Sequence, residues 1–409
     1  AKWGVVDDVT IGLQLSEASG YGLNHACESR SATFDVILRS SRGEVYTGMG
    51  RLMVFIEYVE TGVIIEPKIE RSREPGTCQY NVRYRPTKTG PIAINVTVDG
   101  HPIKDSPFMI DVSDSPLVLE PEQCLGKKGE ELCEFNHPNF IAMDQSNRLF
   151  VSDSSNNRIQ VFNLDGTFAF SFGGVGSDKG QFDHPKGVAF DSNGNLVVCD
   201  DLNHRVQIFN KDMEHVRSFG VKGAQKGQLQ HPRDVAIDSE GNYYVVDSGN
   251  CRVQVFGPDG SFVDAFGVEG IDEGEFRYPY SVAIGDDGRI YVSDRDSHSI
   301  QVFSKERKFE YLIGGTQGKS KGKMSYPRSI CLIDSADKDT QFLVVSDEDN
   351  QRIQLFDTLD YRFICSYDSI VIGGFPYAIA VSPDQQYMAV SITTLGDNDH
   401  RVQWFRIKQ

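Results

Sequence analysis

The chain has 409 residues, 39% of them hydrophobic and 24% charged, with a net charge of −17. That length suits two or three domains, each able to bury a core. There is no apolar run of roughly 18 residues and no signal-peptide pattern at the start, which sets the expectation of a soluble, cytoplasmic protein.

Residues 1–115 alternate apolar and polar positions in short segments: ATFDVILRS from Ala32, RLMVFIEYV from Arg51, CQYNVRYRP from Cys78 and IAINVTVDG from Ile92. Period-two alternation, broken every 8–12 residues or so, predicts an immunoglobulin-like β-sandwich. The Asn95–Thr97 sequon falls inside one of these strands and is read as structure. The link around Ser113–Pro116 is short, so this domain is expected to touch the next as a spacer or lid, or to offer a strand edge to a partner peptide.

From residue 117 to 409 one phrase recurs. His137-Pro138, His184-Pro185, His231-Pro232, Tyr278-Pro279, Tyr326-Pro327 and Phe375-Pro376 are spaced by 47, 47, 47, 48 and 49 residues. Each is followed by a version of DSSNNRIQVF (Asp153 onward), worn to HRVQWF from His400. The repeat contains four strands rich in Val, Ile and Phe, separated by Asp/Asn/Gly turns such as Asp191–Gly194. Six such units predict a six-bladed β-propeller. The last repeat ends one strand short, while an orphan strand near 117–125 precedes the first, so that strand is expected to close the ring. The fold expected is all-β: sandwich, then closed propeller.

Of the charges, 12 basic and 15 acidic residues precede residue 117, leaving 29 and 43 in the propeller, a net of −14. Such acidity argues against nucleic acid for the domain as a whole, but affinity follows local potential. Much of the acid (Asp144, Asp191, Asp238, Asp286, Asp287) lies in turns between first and second strands, on one face. The residues after the repeated prolines open the innermost strands and are expected to ring the opposite mouth: Asn139, Lys186, Arg233, Tyr280, Arg328 and Tyr377. The loops beside them add His204, Arg295 and His298, with Asp201, Glu348 and Asp349 among them, and the links between blades add lysines such as Lys222, Lys226 and Lys319. Cations hold phosphates and tyrosines stack unpaired bases, so this mouth is the candidate RNA-binding site.

Elsewhere the repeated residues read as scaffold. Asp153, Asp200, Asp247, Asp294 and Asp347 precede Arg158, Arg205, Arg252, Ser299 and Arg352 by five positions, a spacing that suits a pair pinning the loop between them. The fourth repeat departs with Ser299, and the sixth with Ile392 at the Asp position. Histidines spread round a ring do not converge as zinc ligands, so no metal and no cofactor is expected. Scattered cysteines without CxxC spacing predict free thiols. No nucleophile–base arrangement is readable, so no catalytic activity is expected of the fragment.

DxxNxR[IV]QVF followed by FGxxGxxxGQFxxP resembles NHL repeats, and GTCQYNVRYRPTKTGPIAINVTVDGHPIKDSPFMIDV (Gly76 to Val112) is similar to the second half of a filamin-type repeat. Filamin followed by NHL resembles the tail of TRIM-NHL proteins, most of all the heterochronic, developmental-timing subgroup. The resemblance implies a chain cut from a longer one, whose RING, B-boxes and coiled coil would supply ubiquitin ligation and self-association. It further implies a propeller that binds short mRNA hairpins by shape and represses translation or promotes decay. On that reading a duplex stem enters the mouth, and replacing Arg233 and Arg328 by Ala weakens and flattens salt-dependent binding. The alternative is a scaffold that presents protein substrates to the ligase. An enzyme of the six-bladed lyase or esterase kind would need a buried metal and secretion, and neither is readable.

Overall fold

The computed structural model describes residues 17–19, 26–27, 32–39, 51–72, 79–87, 90–113, 117–335, 340–367, 372–393 and 400–408. The chain divides into two compact units between Leu117 and Val118. Residues 114–116 of the expected link, and residues 394–399 of the sixth repeat, lie outside the described residues. Among the described residues no helix is long and apolar enough to cross a membrane.

The first unit has two sheets. In one, the order is Glu17–Ser19, Ala32–Ile37, Gln79–Tyr84 and Lys68–Arg71. In the other it is Ala26–Cys27, Phe108–Ser113, Gly90–Val98, Leu52–Tyr58 and Ile64–Ile65, with His101–Pro102 folded back on Gly90–Val98. Alternate side chains point to opposite faces of a strand. Phe34, Val36, Val82, Tyr84, Ile56, Tyr58, Ile92, Ile94 and Val96 therefore share one buried core between the sheets. This is the expected filamin-type sandwich.

The second unit forms six four-stranded sheets among its described residues. Their innermost strands are Pro138–Met143, Pro185–Phe190, Pro232–Ile237, Pro279–Ile284, Pro327–Asp334 and Phe375–Val381, each packed against the next and the last against the first. Proline suits the start of such a strand, where its missing N–H interrupts no ladder. Val118–Leu125 pairs antiparallel with His400–Lys408, from Val118 opposite Lys408 to Leu125 opposite Val402. The strand that precedes the first blade thus completes the last, as the leftover segment required.

The links between blades are held by one repeated side chain. Phe135, Phe182, Leu229, Phe276 and Met324 are all 0% exposed and sit under the end of the preceding outer strand. Room for them depends on glycine: Gly173 has φ +107, and a Cβ there would lie 2.6 Å from the Phe182 ring. The motif FG…QF is therefore a packing pair, a ring filling the space a missing side chain leaves.

Candidate nucleic-acid interface

The loop after each second strand is built the same way. Asp153, Asp200, Asp247 and Asp347 are 0% exposed, and each accepts a bond of 2.8 Å from the Nε of Arg158, Arg205, Arg252 or Arg352. The remaining guanidinium donors reach link carbonyls; in the second blade these are Ser177, Asp178 and Gln181. Asn203 completes the cage by donating to Asp200 and to the Gly176 carbonyl. Acceptor and fork donor pin the loop as their spacing suggested. Burial alone would raise the Asp200 carboxyl, and these donors oppose that.

The residue before each third strand is left-handed: Asn157, His204, Cys251, His298 and Gln351 have φ between 51 and 55°. Asn and His tolerate that region better than most side chains, and here they also reach the next blade. Asn157 Oδ1 accepts the His184 amide at 2.8 Å, His204 Nδ1 the His231 amide at 3.2 Å, His298 Nδ1 the Tyr326 amide at 3.1 Å, and His400 Nδ1 the His137 amide at 3.1 Å. An accepting Nδ1 carries no proton, so these rings are neutral Nε2–H tautomers. His204, chosen as an RNA contact, is only 7% exposed and serves first as a clasp between blades. Burial, with His231 and Lys222 nearby, lowers its pKa, and burial with the neighbouring His400 and Lys186 does the same for His137.

The six residues after the prolines do converge, but they close the channel rather than line an open mouth. Tyr280 is 1% exposed, lies stacked on Phe140 of the opposite blade with centroids 5.6 Å apart, and its hydroxyl meets Asn139 Oδ1 at 3.2 Å. A tyrosine so placed supports the floor and has no free face for a base. A duplex stem entering the channel is therefore not compatible with this geometry; the ring across the axis occupies that space.

Around Tyr280 the three cations have different surroundings. Arg328 donates to both oxygens of Glu348, at 2.5 and 2.8 Å, and to the Tyr280 hydroxyl at 2.9 Å, with its guanidinium 4.0 Å from the Tyr377 ring. Burial works against its charge, yet Tyr280 and Glu348 hold it above the ordinary arginine range. Burial likewise raises the Tyr377 hydroxyl. Arg233 has no carboxylate partner among the described residues; it donates to the Tyr278 hydroxyl and lies 5.4 Å from that ring, while its Nε is buried and unbonded. Lys186 is 8% exposed and makes no hydrogen bond or ion pair among the described residues. Burial and the adjacent Arg233 bring its ammonium down to about 7, against the pull of Asp201. Arg295 pairs with Asp296 at 2.8 Å and lies over Tyr326 at 4.6 Å.

Farther out, Lys128, Lys179, Lys222, Lys226, Lys319, Lys321 and Lys323 are exposed on the links without a carboxylate partner among the described residues, whereas Lys127 pairs with Glu134 at 2.9 Å. The other half of the channel is a cavity of about 610 Å³ rimmed by Asp144 and Asp191. Asp234 lines it, its carboxyl raised by burial to about 6 while Ser281, Val282 and Val235 donate to it.

Residues 11–109 match the Filamin/ABP280 repeat, and 135–162, 182–209, 229–256 and 276–303 match the NHL repeat. Over 157 residues, 38% of this chain, the sequence is 34% identical to the E3 ubiquitin-protein ligase TRIM71 of Xenopus tropicalis. Over 90 residues, 21% of the chain, it is 36% identical to protein lin-41 of Caenorhabditis elegans. The chain belongs to the TRIM-NHL family. The matches span 19% and 8% of those two relatives' lengths. In structure, the TRIM-NHL chain is similar over its whole length to a protein of unknown function from Bacteroides thetaiotaomicron (TM-score 0.56, 14% identity), a likeness of fold alone.

Two features of this TRIM-NHL mouth escaped sequence reading. Tyr278 and Tyr326, which precede prolines, supply the aromatic surfaces for Arg233 and Arg295. Their signal was present: the residue before the repeated proline changes from His to Tyr in the fourth and fifth repeats. Phe140, one place beyond the ring position, is the partner on which Tyr280 rests.

Proposed function

We propose that this propeller is the RNA-binding module of a post-transcriptional repressor, seating a short mRNA hairpin on the closed floor and lysine-bearing links of the proline-side face. The observation that carries the reading is the uncompensated cation pair, Lys186 without a partner and Arg233 without a carboxylate among the described residues, within a domain of net charge −14. Holding a desolvated ammonium near neutrality costs stability, and an anion arriving there restores its charge. The exposed lysines of the second-to-third and fourth-to-fifth links extend the same positive field outward. Since Tyr280 blocks the axis, the RNA lies across the floor, with backbone phosphates near Lys186 and Arg233 and bases offered to Tyr377 and Tyr278. Asn139, Tyr280, His204 and Arg328 shape the floor, while Arg295 and His298 border it.

The relatives named as E3 ubiquitin-protein ligases support placing the module in a longer chain that ligates ubiquitin outside this segment; the same proposal makes that chain cytoplasmic and self-associating. The fragment itself carries recognition rather than catalysis. A scaffold for protein substrates is the second reading, favoured by the acidic link of Glu269, Asp272, Glu273 and Glu275. Crosslinking of the fragment to cellular RNA, with the crosslinked residues mapped, separates the two. Crosslinks at Tyr278, Tyr377 and the flanking links support RNA recognition; a nuclease-resistant protein complex with no crosslink on this face refutes it.

A further inference from the structure

The fourth blade lacks the arginine that the other pinned loops use, and the space remains. Asp294 pairs across the sheet with Ser299 in the same register as Asp200 with Arg205. At the neighbouring cage position the second blade has Asn203 and the fourth has Ser297. Asp294, 0% exposed, is left with two backbone donors, the amides of Arg277 at 2.9 Å and Tyr278 at 2.8 Å, and no side-chain donor among the described residues. The Ser297 Oγ is buried without a hydrogen-bond partner. In place of the guanidinium there is a pocket of about 460 Å³ lined by Ile271, Asp272, Glu275, Ser297, Ser299 and Leu312.

The rest of the chain records what fits such a pocket. In the second blade the guanidinium of Arg205 bonds to the carbonyls of Ser177, Asp178 and Gln181. The corresponding link residues of the fourth blade are Ile271, Asp272 and Glu275. Of these, the Glu275 carbonyl keeps its bond from Gln301 Nε2 at 2.5 Å, as Gln181 keeps that of Gln207 at 2.7 Å, so the frame that receives the guanidinium is intact. The Glu275 carboxylate is held in place by the amides of Ile271 and Asp272 at 3.0 and 3.1 Å. With Asp272 and Glu273 it gives the lining three carboxylates against the one cation of Arg277, and the buried Asp294 stands behind Ser299. Ile271, 73% exposed, and Leu312, 43% exposed, offer apolar surface at the rim for an aliphatic stem.

We infer that this pocket accepts an arginine side chain from a partner polypeptide. The guanidinium replaces the one missing from residue 299, its stem covered by Ile271 and Leu312. A planar fork of donors suits carbonyls and carboxylate together, whereas a lysine ammonium satisfies them less well. Arg277 lies exposed on the lining without an ion pair among the described residues. The site is separate from the RNA floor and does not depend on the RNA reading.

The test is a titration of the full chain with argininamide, followed by the amide resonances of Ile271, Asp272 and Glu275. Saturable shifts are expected, with citrullinamide, the neutral isostere, at least tenfold weaker. Ser299→Arg refills the site from within: it is expected to abolish argininamide binding, raise the melting temperature and leave RNA affinity unchanged. Should that variant not fold, Ser297→Asn restores only the amide donor and is expected to weaken binding several-fold, while Arg277→Ala strengthens it. No shift in the wild-type chain, equal binding of citrullinamide, or undiminished binding in folded Ser299→Arg overturns the assignment.

Discussion

At the residue scale, the repeat separates side chains that hold the fold from those with charge to spare. Asp200 is a fully buried carboxylate whose cationic partner is Arg205, so Arg205→Ala leaves that charge under-compensated. A loss on the order of 3 kcal/mol is expected, read by urea unfolding. Lys186 behaves in the opposite sense. Its folded pKa is about 7, below the ordinary lysine value of 10.5. A base whose pKa is depressed on folding contributes least when both states are protonated; its penalty is full below pH 7 and vanishes as pH rises towards 10.5. Lys186→Met is therefore expected to raise the melting temperature at pH 6, progressively less up to pH 10, while weakening RNA binding. A purely structural lysine would lose stability on the same substitution. Arg328, by contrast, is a poor probe of RNA contact, since its removal strands Glu348.

At the element scale, the blades are joined by clasps and by link anchors. His204 and His137 have lowered pKa values because their rings are buried and lie near basic neighbours, His231 and Lys222 for the first and His400 and Lys186 for the second. The stability they lend is present above the unfolded histidine pKa of about 6.5 and is lost as pH falls through their lower folded values. His204→Asn, which copies the Asn157 clasp, is expected to keep the neutral-pH stability and blunt the acid sensitivity in thermal melts between pH 7 and 5. Among the link anchors, Phe182→Ala empties a site with no exposure and is expected to cost about 3–5 kcal/mol.

Much of this architecture was legible because period and spacing are backbone properties. The 47-residue recurrence fixes the blade, and the orphan strand at 117–125 fixes the closure. The Asp–Arg pairs follow from a five-residue spacing across a tight turn. What spacing does not carry is where a side chain ends up across the axis. Tyr280 and Asn139 are 141 residues apart, and their meeting depends on ring curvature that no local pattern encodes. The same limit hid the second use of His204, whose acceptor role needs the next blade's amide. Nor did the count of cations reveal that Glu348 pairs with Arg328 whereas no carboxylate among the described residues bonds to Lys186.

At the scale of the whole propeller, an acidic domain carries unpaired cations on one face and acidic turns on the other. Removal of Val118–Leu125 would expose the edge of His400–Lys408 and uncover Trp404 and Ile407, so a propeller starting at residue 127 is expected to melt lower and aggregate in light scattering. The central claim concerns the charged face. RNA affinity measured against salt for the wild-type chain and for Lys186→Met/Arg233→Met tests it most directly, with melting curves as the control for folding. Weaker binding is expected, with a log K against log salt slope shallower by about 1 for each phosphate no longer neutralised. A folded double variant with unchanged affinity and unchanged slope would contradict it.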